Sequence, residues 1–465
     1  MKGPLPDFLQ VQRALRRQYG FAAEGLLVRQ AKPLRPRKPK GMAGSSLAIR
    51  GKATMAMGVK AAEHAKGAAE AYGPAALTTG LTSGQRKQIA AWLTVCAGWV
   101  FALVCVGGAT RLTRSGLSMT DWKFTGEHRP QNEDEWEAEF AKYKQSPEFK
   151  RLNSRMTVEE FKYIYYWEYG HRMMGRTLSL VFGLPALYFA GRGMINAALG
   201  RRLGVVFFMG GMQGLVGWWM VRSGLQDQED PHWEPKVSPY RLAAHLTSAF
   251  AIYATLVWTA LGVAVPYPPA VTAGPQAAAA AKLLQRVAHP VAGLVGVTAV
   301  SGAFVAGLHA GLCYNTWPDM NGEFFPSEYF ALPGLRNLFE NSAAAQFNHR
   351  TLALTTLASI AAFWRYGTQL PALPASSRLL LHALLATTCA QVGLGVATLL
   401  TYVPVSLGTA HQAGALTLFT LMLGLMYSVK PAPGLRPFRL LVHKWATPAA
   451  VAAMAGIGGA VHQMQ

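Results

Sequence analysis

Residues 88–109 read QIAAWLTVCAGWVFALVCVGGA and contain no charged side chain. A helix needs about 20 consecutive apolar residues to cross the hydrocarbon core of a bilayer, so this stretch predicts a membrane-spanning helix. Similar apolar stretches follow at 162–190, 203–221, 241–264, 288–309, 342–364, 379–402 and 404–428. The sequence therefore predicts an all-α polytopic membrane protein with eight transmembrane helices.

The composition of the whole chain supports this class. Of the 465 residues, 51% are hydrophobic and only 14% are charged, whereas soluble domains carry about 25% charged residues. A soluble enzyme, a disordered chain and a disulfide scaffold are therefore disfavoured. The net charge of +21 would suit a nucleic-acid partner, but the basic residues are not clustered on a foldable soluble domain, so we expect no such partner.

The first 85 residues form a separate basic region. Residues 1–60 contain thirteen Lys or Arg and two acids, Asp7 and Glu24. Arginines interleaved with apolar residues over positions 8–17 are typical of a basic amphipathic helix. We interpret residues 1–85 as a mitochondrial transit peptide and linker. A plastid leader and a basic tail lying on anionic lipid are the alternatives.

The charges between the apolar stretches predict the orientation. Of the 23 acidic residues, 22 lie in the N-terminal region or in the loops after the first, third and fifth stretches. Loops on the other side are basic, and basic loops stay on the side from which a protein is inserted. We expect the N-terminus and basic loops in the matrix and the acidic loops in the intermembrane space. Residues 431–465 are then a matrix-side tail, in which 446–461 is a candidate membrane-associated segment.

The second half of the chain repeats motifs of the first half. The offset is 195 residues for the first helix of each half, 178 for the second and third, and 166 for the fourth. The recurring residues are Gly107, Gly116, Leu117, Trp122, His171, Arg172, Gln213, Gly217 and His245. Each half then has four spans in the same orientation, as in a parallel duplication. We predict two tandem four-helix bundles, 86–265 and 280–430.

Four histidines occupy repeat-equivalent positions, a few residues inside helices that enter from the acidic side. They are His171 and His245 in the first half and His349 and His411 in the second. The second and fourth helices of a four-helix bundle can face each other, and two facing imidazoles are suited to axial ligation of haem iron. Zinc would need about four N or S ligands. We therefore predict one haem site in each half.

The two halves differ beside these histidines. Glu168 is the one acidic residue inside a predicted span, and it shares a helical face with His171. The second half has Gln346 at the equivalent position. An ionisable group within a span is a functional candidate by default, and a carboxylate can take or give a proton. We predict chemistry in the first half and a permanent, electron-transferring haem in the second, unless Glu168 only orients a histidine or Arg172.

Arginines near the histidines are candidate contacts for haem propionates. Arg172 and Arg350 directly follow a paired histidine, and Arg111 and Arg114 end the first span. A guanidinium group matches the geometry of a carboxylate. Anchoring to lipid headgroups is the alternative.

Several motifs resemble those of the haem A synthase family. Residues 107–122, GGATRLTRSGLSMTDW, resemble its first-helix signature, and residues 168–176, EYGHRMMGR, resemble its second-helix motif. Further segments that extend the resemblance are HPVAGL at 289–294, SGAFVAGL at 301–308, YNTWP at 314–318, QFNHR at 346–350 and HQAG at 411–414. The resemblance covers about residues 85–430. The basic leader and the acidic first loop are similar to the mitochondrial branch.

The resemblance implies an oxidoreductase of the mitochondrial inner membrane. Members of the family oxidise a methyl group of haem O to a formyl group in two successive steps, and the product, haem A, is delivered to cytochrome c oxidase. By this resemblance, His349 and His411 are the ligands of a resident haem b. His171 and His245 are then the ligands of the substrate haem, and Glu168 is the catalytic acidic residue of that site.

The family also suggests partners and competing functions. It implies haem O as the substrate, haem A as the product and a ferredoxin as the electron donor. Haem O synthase, assembly factors of cytochrome c oxidase, membrane lipid and a second copy of the chain are further candidate partners. His309 stands where we expect Asp in relatives, so no acidic role is assigned there. The leading alternative is a dihaem electron-transfer or quinol-oxidising cytochrome that leaves haem unmodified, and a third is a duplicated-bundle transporter or haem carrier.

Overall fold

The computed structural model describes residues 75–123, 126–230 and 233–431. Within these ranges the regular structure is helical apart from one isolated two-residue bridge. The predicted all-α class is therefore confirmed. Most of the predicted transit region, up to residue 74, and the predicted tail from residue 432 onwards lie outside the described residues.

Helices account for almost all of the regular structure in these ranges. In chain order they are α1 Ser83–Leu112, α2 Glu133–Lys144, α3 Pro147–Arg151, α4 Val158–Gly191, α5 Ala197–Arg222, α6 Pro239–Ala264, α7 Pro269–Thr272, α8 Pro275–Gly307, α9 Arg336–Glu340, α10 Ser342–Thr368, α11 Ala375–Leu400 and α12 Val405–Ser428. Two 3₁₀ turns, Ala310–Leu312 and Ser327–Phe330, lie between α8 and α9. The long helices α1, α4, α5, α6, α8, α10, α11 and α12 coincide with the predicted apolar stretches.

Six segments of the described chain are long and apolar enough to cross a membrane, and they contain α1, α4, α5, α6 with α7, α8, and α11. The other two long helices, α10 and α12, include several polar side chains that lower their mean hydropathy, among them Gln346, Arg350 and Gln412. The structure thus supports a multi-pass membrane protein. The full count of eight spans stays a prediction.

The fifth long helix, α8, begins thirteen residues before the predicted stretch at 288–309. Pro275 occupies its first turn, where a missing N–H is tolerated, and residues 277–281 are five consecutive alanines, which favour helix strongly. Lys282 and Arg286 interrupt the apolar run there. Hydropathy alone therefore placed the start of this helix too late. Residues with high helix propensity extend its N-terminal end beyond the apolar stretch, into the segment with Lys282 and Arg286.

The long helices pack in a pattern that the two halves share. In the first half α1 packs against α4 and α6, and α5 packs against α6. In the second half α8 packs against α10 and α12, and α11 packs against α12. The halves meet where α1 packs against α12 and α6 against α8, and these two pairings are repeat equivalents. One difference is that α10 also packs along α11, whereas their equivalents, α4 and α5, are less closely packed.

Two apolar cores accompany this packing. One is formed mainly by side chains of α1, α4, α5 and α6, and the other mainly by side chains of α8, α10, α11 and α12. Each core packs together the four long helices of one half, and two of these four helices carry the predicted histidines. The exact division at 86–265 and 280–430 stays a prediction.

The acidic segment between α1 and α4 is folded, which the sequence analysis did not predict. Trp136, Phe140 and Tyr143 on α2 follow a spacing of four and three residues and pack on Phe161 and Tyr165 of α4. This spacing places the aromatic rings on one face of a helix. The many acids on the opposite face obscured the pattern in the sequence.

This segment contains a buried carboxyl group. The Glu148 side chain is in the apolar interior, only 5% exposed, and accepts a hydrogen bond from the Tyr143 hydroxyl at 3.0 Å. Burial raises the pKa of Glu148 from 4.5 to about 7, partly opposed by the Tyr143 hydrogen bond and by Arg114 and Arg111, while Glu168 adds to the rise. In the folded state this carboxyl therefore keeps its proton to a higher pH than in the unfolded state.

We predict that Glu148→Gln removes a pH dependence of stability. The pKa of Glu148 is higher in the folded state than in the unfolded state. Its contribution to the free energy of unfolding is therefore largest below about pH 4.5 and falls by roughly 3 kcal/mol in all as pH rises to about 7. Thermal unfolding in detergent at several pH values across that interval measures the effect. The exposed Glu137→Gln is the matched control, and an unchanged pH slope in Glu148→Gln would contradict the prediction.

Candidate functional site

Each of the four predicted histidines lies against a glycine of a neighbouring helix. A Cβ atom placed on the glycine would lie 2.8 Å from the ring Cε1 for Gly107 and His171, 3.1 Å for Gly217 and His245, 3.1 Å for Gly302 and His349, and 2.9 Å for Gly395 and His411. A side chain larger than hydrogen would displace each ring. Gly107 and Gly302 are repeat equivalents, as are Gly217 and Gly395. The same glycine–histidine contact therefore occurs four times.

The structure brings the histidines of each predicted pair together. The ring centres of His349 and His411 are 6.5 Å apart, and the ring planes are nearly perpendicular at 85°. Two imidazoles on opposite sides of one metal ion, each with a metal–nitrogen bond of about 2 Å, have ring centres roughly 6.4 Å apart. His171 and His245 lie at the repeat-equivalent positions of that pair, against the equivalent glycines Gly107 and Gly217. The residues present therefore fit a haem with two axial histidines.

A glutamine holds the second histidine of each pair. Gln213 Nε2 donates to the main-chain carbonyl of His245 at 2.9 Å, and Gln391 Nε2 donates to that of His411 at 2.8 Å. The sequence marked Gln213 as a repeated residue but gave it no role. Its fixed offset from Gln391 was the available signal, and the structure shows what the two side chains contact.

Glu168 is buried, 3% exposed, and both of its carboxylate oxygens are engaged. Oε2 accepts hydrogen bonds from Ser118 Oγ at 2.7 Å and from the Met119 amide at 2.9 Å. Oε1 accepts from Arg172 Nη2 at 2.7 Å. A buried carboxylate is stable only when it is paired and hydrogen-bonded, so this arrangement fixes a negative charge one helical turn before His171.

Gln346 occupies the equivalent place in the second half and is equally buried. Its Oε1 accepts from Arg350 Nη2 at 2.8 Å, as Glu168 accepts from its own arginine. Its Nε2 donates to the Ala310 carbonyl at 2.6 Å. The amide therefore keeps the contact with arginine but supplies neither a negative charge nor a proton acceptor of carboxylate strength.

The terminal nitrogens of Arg172 and Arg350 contact the loops of their own halves. Each guanidinium donates to two main-chain carbonyls of the loop that follows the first helix of its half. Arg172 lies over the Trp122 ring at 4.7 Å, and Arg350 over the equivalent Trp317 ring at 5.8 Å. In the described structure only their buried Nε atoms have no hydrogen-bond partner. The predicted propionate contacts stay predictions. The donors left for them among the described residues are the two Nε–H groups and one N–H of Arg350 Nη1.

Arg111 and Arg114 lie at the turn after α1. Arg114 has a φ of 54° and forms an ion pair with Glu234 at 3.1 Å. Arg111 crosses to the second half, where its Nη2 lies 3.0 Å from the Ala306 carbonyl and 2.9 Å from His309 Nε2. His309, the repeat equivalent of Arg114, has almost the same left-handed backbone, with a φ of 56°. The structure thus gives His309 a contact between the halves, and a propionate role for Arg111 and Arg114 stays a prediction.

Comparison with known proteins identifies relatives along most of the chain. Residues 90–423 match the family described as cytochrome oxidase assembly protein. The chain is 53% identical over 361 residues to haem A synthase COX15 of Arabidopsis thaliana, covering 77% of this chain and 78% of that protein. It is 46% identical over 349 residues to haem A synthase COX15 of Homo sapiens, covering 75% and 84%. For haem A synthase of Rhodospirillum centenum the identity is 47% over 353 residues, covering 74% and 89%.

These relatives are all haem A synthases, and they do not support the alternative of a cytochrome that leaves haem unmodified. The animal and plant relatives at this identity agree with the predicted mitochondrial branch. The motif resemblance is therefore confirmed, and the chain belongs to the cytochrome oxidase assembly protein family, the family of the haem A synthases.

Proposed function

We propose that this chain is a mitochondrial haem A synthase, an oxidoreductase that converts haem O to haem A by oxidising a methyl group to a formyl group in two successive steps. One structural observation supports the proposal independently of the relatives. Two equivalent histidine pairs differ in their buried neighbour, which is the carboxylate of Glu168 in the first half and the amide of Gln346 in the second. A chemical site and an electron-transfer site on one repeated fold need such a difference.

The two pairs take different haems in this proposal. His171 and His245 hold haem O, the substrate, by its iron, and His349 and His411 hold haem b as the resident cofactor. When bound, haem b supplies one-electron transfer.

Glu168 is the catalytic residue of the first half. Each oxidation replaces a C–H bond of the methyl group by a C–O bond, and a carboxylate fixed near the substrate can take or give the proton that moves in this exchange. Ser118, Met119 and Arg172 hold the carboxylate in a single position through their hydrogen bonds. Such fixed placement is what general acid–base catalysis requires.

We assign the protein to the mitochondrial inner membrane with eight spans, its N-terminus and basic loops in the matrix and its acidic loops in the intermembrane space. The mitochondrial relatives and the apolar helices support the membrane, and the segregation of charge supports the orientation. A ferredoxin as electron donor, haem O synthase, assembly factors of cytochrome c oxidase and a second copy of the chain are the proposed partners.

The function is tested by chromatography of haems extracted from cells that express or lack this chain. We expect haem A only in its presence and accumulated haem O in its absence. An electron-transfer cytochrome or a haem carrier would leave the ratio of haem O to haem A unchanged, and that outcome would overturn the proposal.

We predict that Glu168→Gln retains bound haem but fails to complete the second oxidation. The second half shows that glutamine at this position keeps its contact with arginine, so the variant should fold while its proton acceptor is lost. Extracted haems are expected to contain the partly oxidised product and at least tenfold less haem A, a loss typical of a missing general base. The exposed Glu159→Gln on the same helix is the control, and wild-type product ratios in Glu168→Gln would refute the role.

We predict that His349→Ala removes the resident haem b signal, because one of its two axial ligands is lost. His171→Ala should keep that signal, since it changes only the substrate site. Reduced-minus-oxidised absorption spectra of the purified variants measure both effects. An unchanged haem b spectrum in His349→Ala would count against this assignment of the ligands.

A further inference from the structure

The first histidine of each pair differs in what its second ring nitrogen contacts. His349 Nδ1 lies 2.7 Å from the hydroxyl oxygen of Ser301 on α8. His171 Nδ1 is buried, and the described residues give it no hydrogen-bond partner. At the 195-residue offset, the equivalent of Ser301 is Val106 on α1. A hydroxyl group therefore holds the imidazole in the second half alone.

The Ser301 hydroxyl also determines which nitrogen of His349 carries the proton. Its oxygen lies 2.7 Å from the Thr298 main-chain carbonyl, which can only accept. The hydroxyl proton therefore goes to Thr298, and the oxygen accepts the Nδ1–H of His349. A neutral imidazole protonated on Nδ1 has its lone pair on Nε2. Ser301 thus fixes both the orientation of the ring and the nitrogen that is free to bind iron.

Further hydroxyl groups support Ser301 in the second half. Thr298 Oγ1 lies 2.8 Å from Thr356 Oγ1, which joins α8 to α10, the helix that carries His349. Thr356 is buried. The repeat equivalents of Ser301, Thr298 and Thr356 are Val106, Leu103 and Leu178. All three hydroxyls of the second half are therefore replaced by apolar side chains in the first.

Within the first half, the two histidines are not held equally. The Gln213 amide nitrogen, which can only donate, lies 3.2 Å from His245 Nδ1, and the amide oxygen of Gln213 accepts a hydrogen bond from Ser248. This contact restrains the His245 ring but does not place its proton on Nδ1, as Ser301 does for His349. His171 packs against Gly107, but its Nδ1 has no hydrogen-bond partner among the described residues. His171 is thus the less restrained ring of this pair.

We propose that Ser301 is a positioning residue that keeps His349 on the resident haem, and that Val106 leaves His171 as the exchangeable ligand of the substrate haem. This inference rests on the proposed function. A hydrogen bond to the outer nitrogen of a metal-bound imidazole fixes the ring and strengthens the ligand, and its loss typically lowers metal affinity about 10- to 100-fold. His411 Nδ1, like His171 Nδ1, has no hydrogen-bond partner among the described residues, so the difference in restraint between the halves on which this inference rests lies at the first histidine of each pair.

The first arm of the test compares Ser301→Val with Ser301→Thr in the purified full-length protein. Transfer of haem b to apomyoglobin measures its dissociation, and a redox titration measures its midpoint potential. In Ser301→Val we expect dissociation about 10- to 100-fold faster and a more positive potential, because the ligand donates less charge to iron. Ser301→Thr, which keeps the hydroxyl, should restore both. A dissociation rate and potential equal to those of the wild type in Ser301→Val would overturn the role of Ser301.

The second arm is the reciprocal variant, Val106→Ser, which places a hydroxyl against His171. We expect more haem O and haem A to remain bound after purification and slower transfer of these haems to apomyoglobin, with the haem b content unchanged. Retention equal to that of the wild type would overturn the exchangeable-ligand half of the proposal. If Ser301→Val does not fold, Ser301→Ala, which also lacks the hydroxyl and is smaller, replaces it in the first arm with the same expected results.

Different results would overturn the proposed function and the inference about Ser301 and Val106. If wild-type protein binds no haem, or if cells expressing it make no haem A, the proposed function fails. If the wild type makes haem A and retains haem b while Ser301→Val and Val106→Ser both match it, only the inference about Ser301 and Val106 fails.

Discussion

The close approach of two helices at a glycine is the contact on which both candidate sites depend. At Gly302 a Cβ atom would lie 3.1 Å from the His349 ring, and at Gly107 it would lie 2.8 Å from the His171 ring. Without the glycines, the Cε1 edge of each ring could not approach the neighbouring helix this closely. Helix–helix interfaces in membranes use small residues for this reason. Here the space gained accommodates an imidazole, and the spacing of the paired rings follows from it.

One repeated backbone therefore supports two different environments. The turn after α1 and the turn after α8 share a left-handed residue, Arg114 in one and His309 in the other. The differences lie in side chains that contact the histidines or their neighbours, such as Glu168 against Gln346. A fold by itself does not determine function, which is set by the groups placed on it. In this chain the comparison is internal, since each half serves as the reference for the other.

The sequence predicted the long helices and the histidine pairs for physical reasons, but it missed contacts that depend on tertiary structure. Twenty-residue apolar stretches have few alternatives in a membrane. A fixed repeat offset relates His171 to His349 and His245 to His411, and the facing of the second and fourth helices of a four-helix bundle pairs His171 with His245 without knowledge of the loops. The aromatic packing of Trp136 on α4 was missed because acids surround it. Arg172 was predicted as a propionate contact from its place after His171 and the shape of its guanidinium group, but its contacts with main-chain carbonyls depend on the path of a loop, which no spacing encodes. The contact between Ser301 and His349 likewise depends on tertiary structure.

The carboxylate at the first site is matched by its surroundings and is not an isolated substitution. The donors to Glu168 include the Ser118 hydroxyl, and at the 195-residue offset Cys313 takes the place of Ser118. In the second half the amide of Gln346 instead donates to the Ala310 carbonyl, an acceptor that would repel a carboxylate. Each loop therefore suits the residue of its own half. A negative charge buried in a span is destabilising without such donors. An arginine donor occurs in both halves, but the Ser118 hydroxyl occurs only in the half that has the acid, so the loop of the first half is matched to the carboxylate through Ser118.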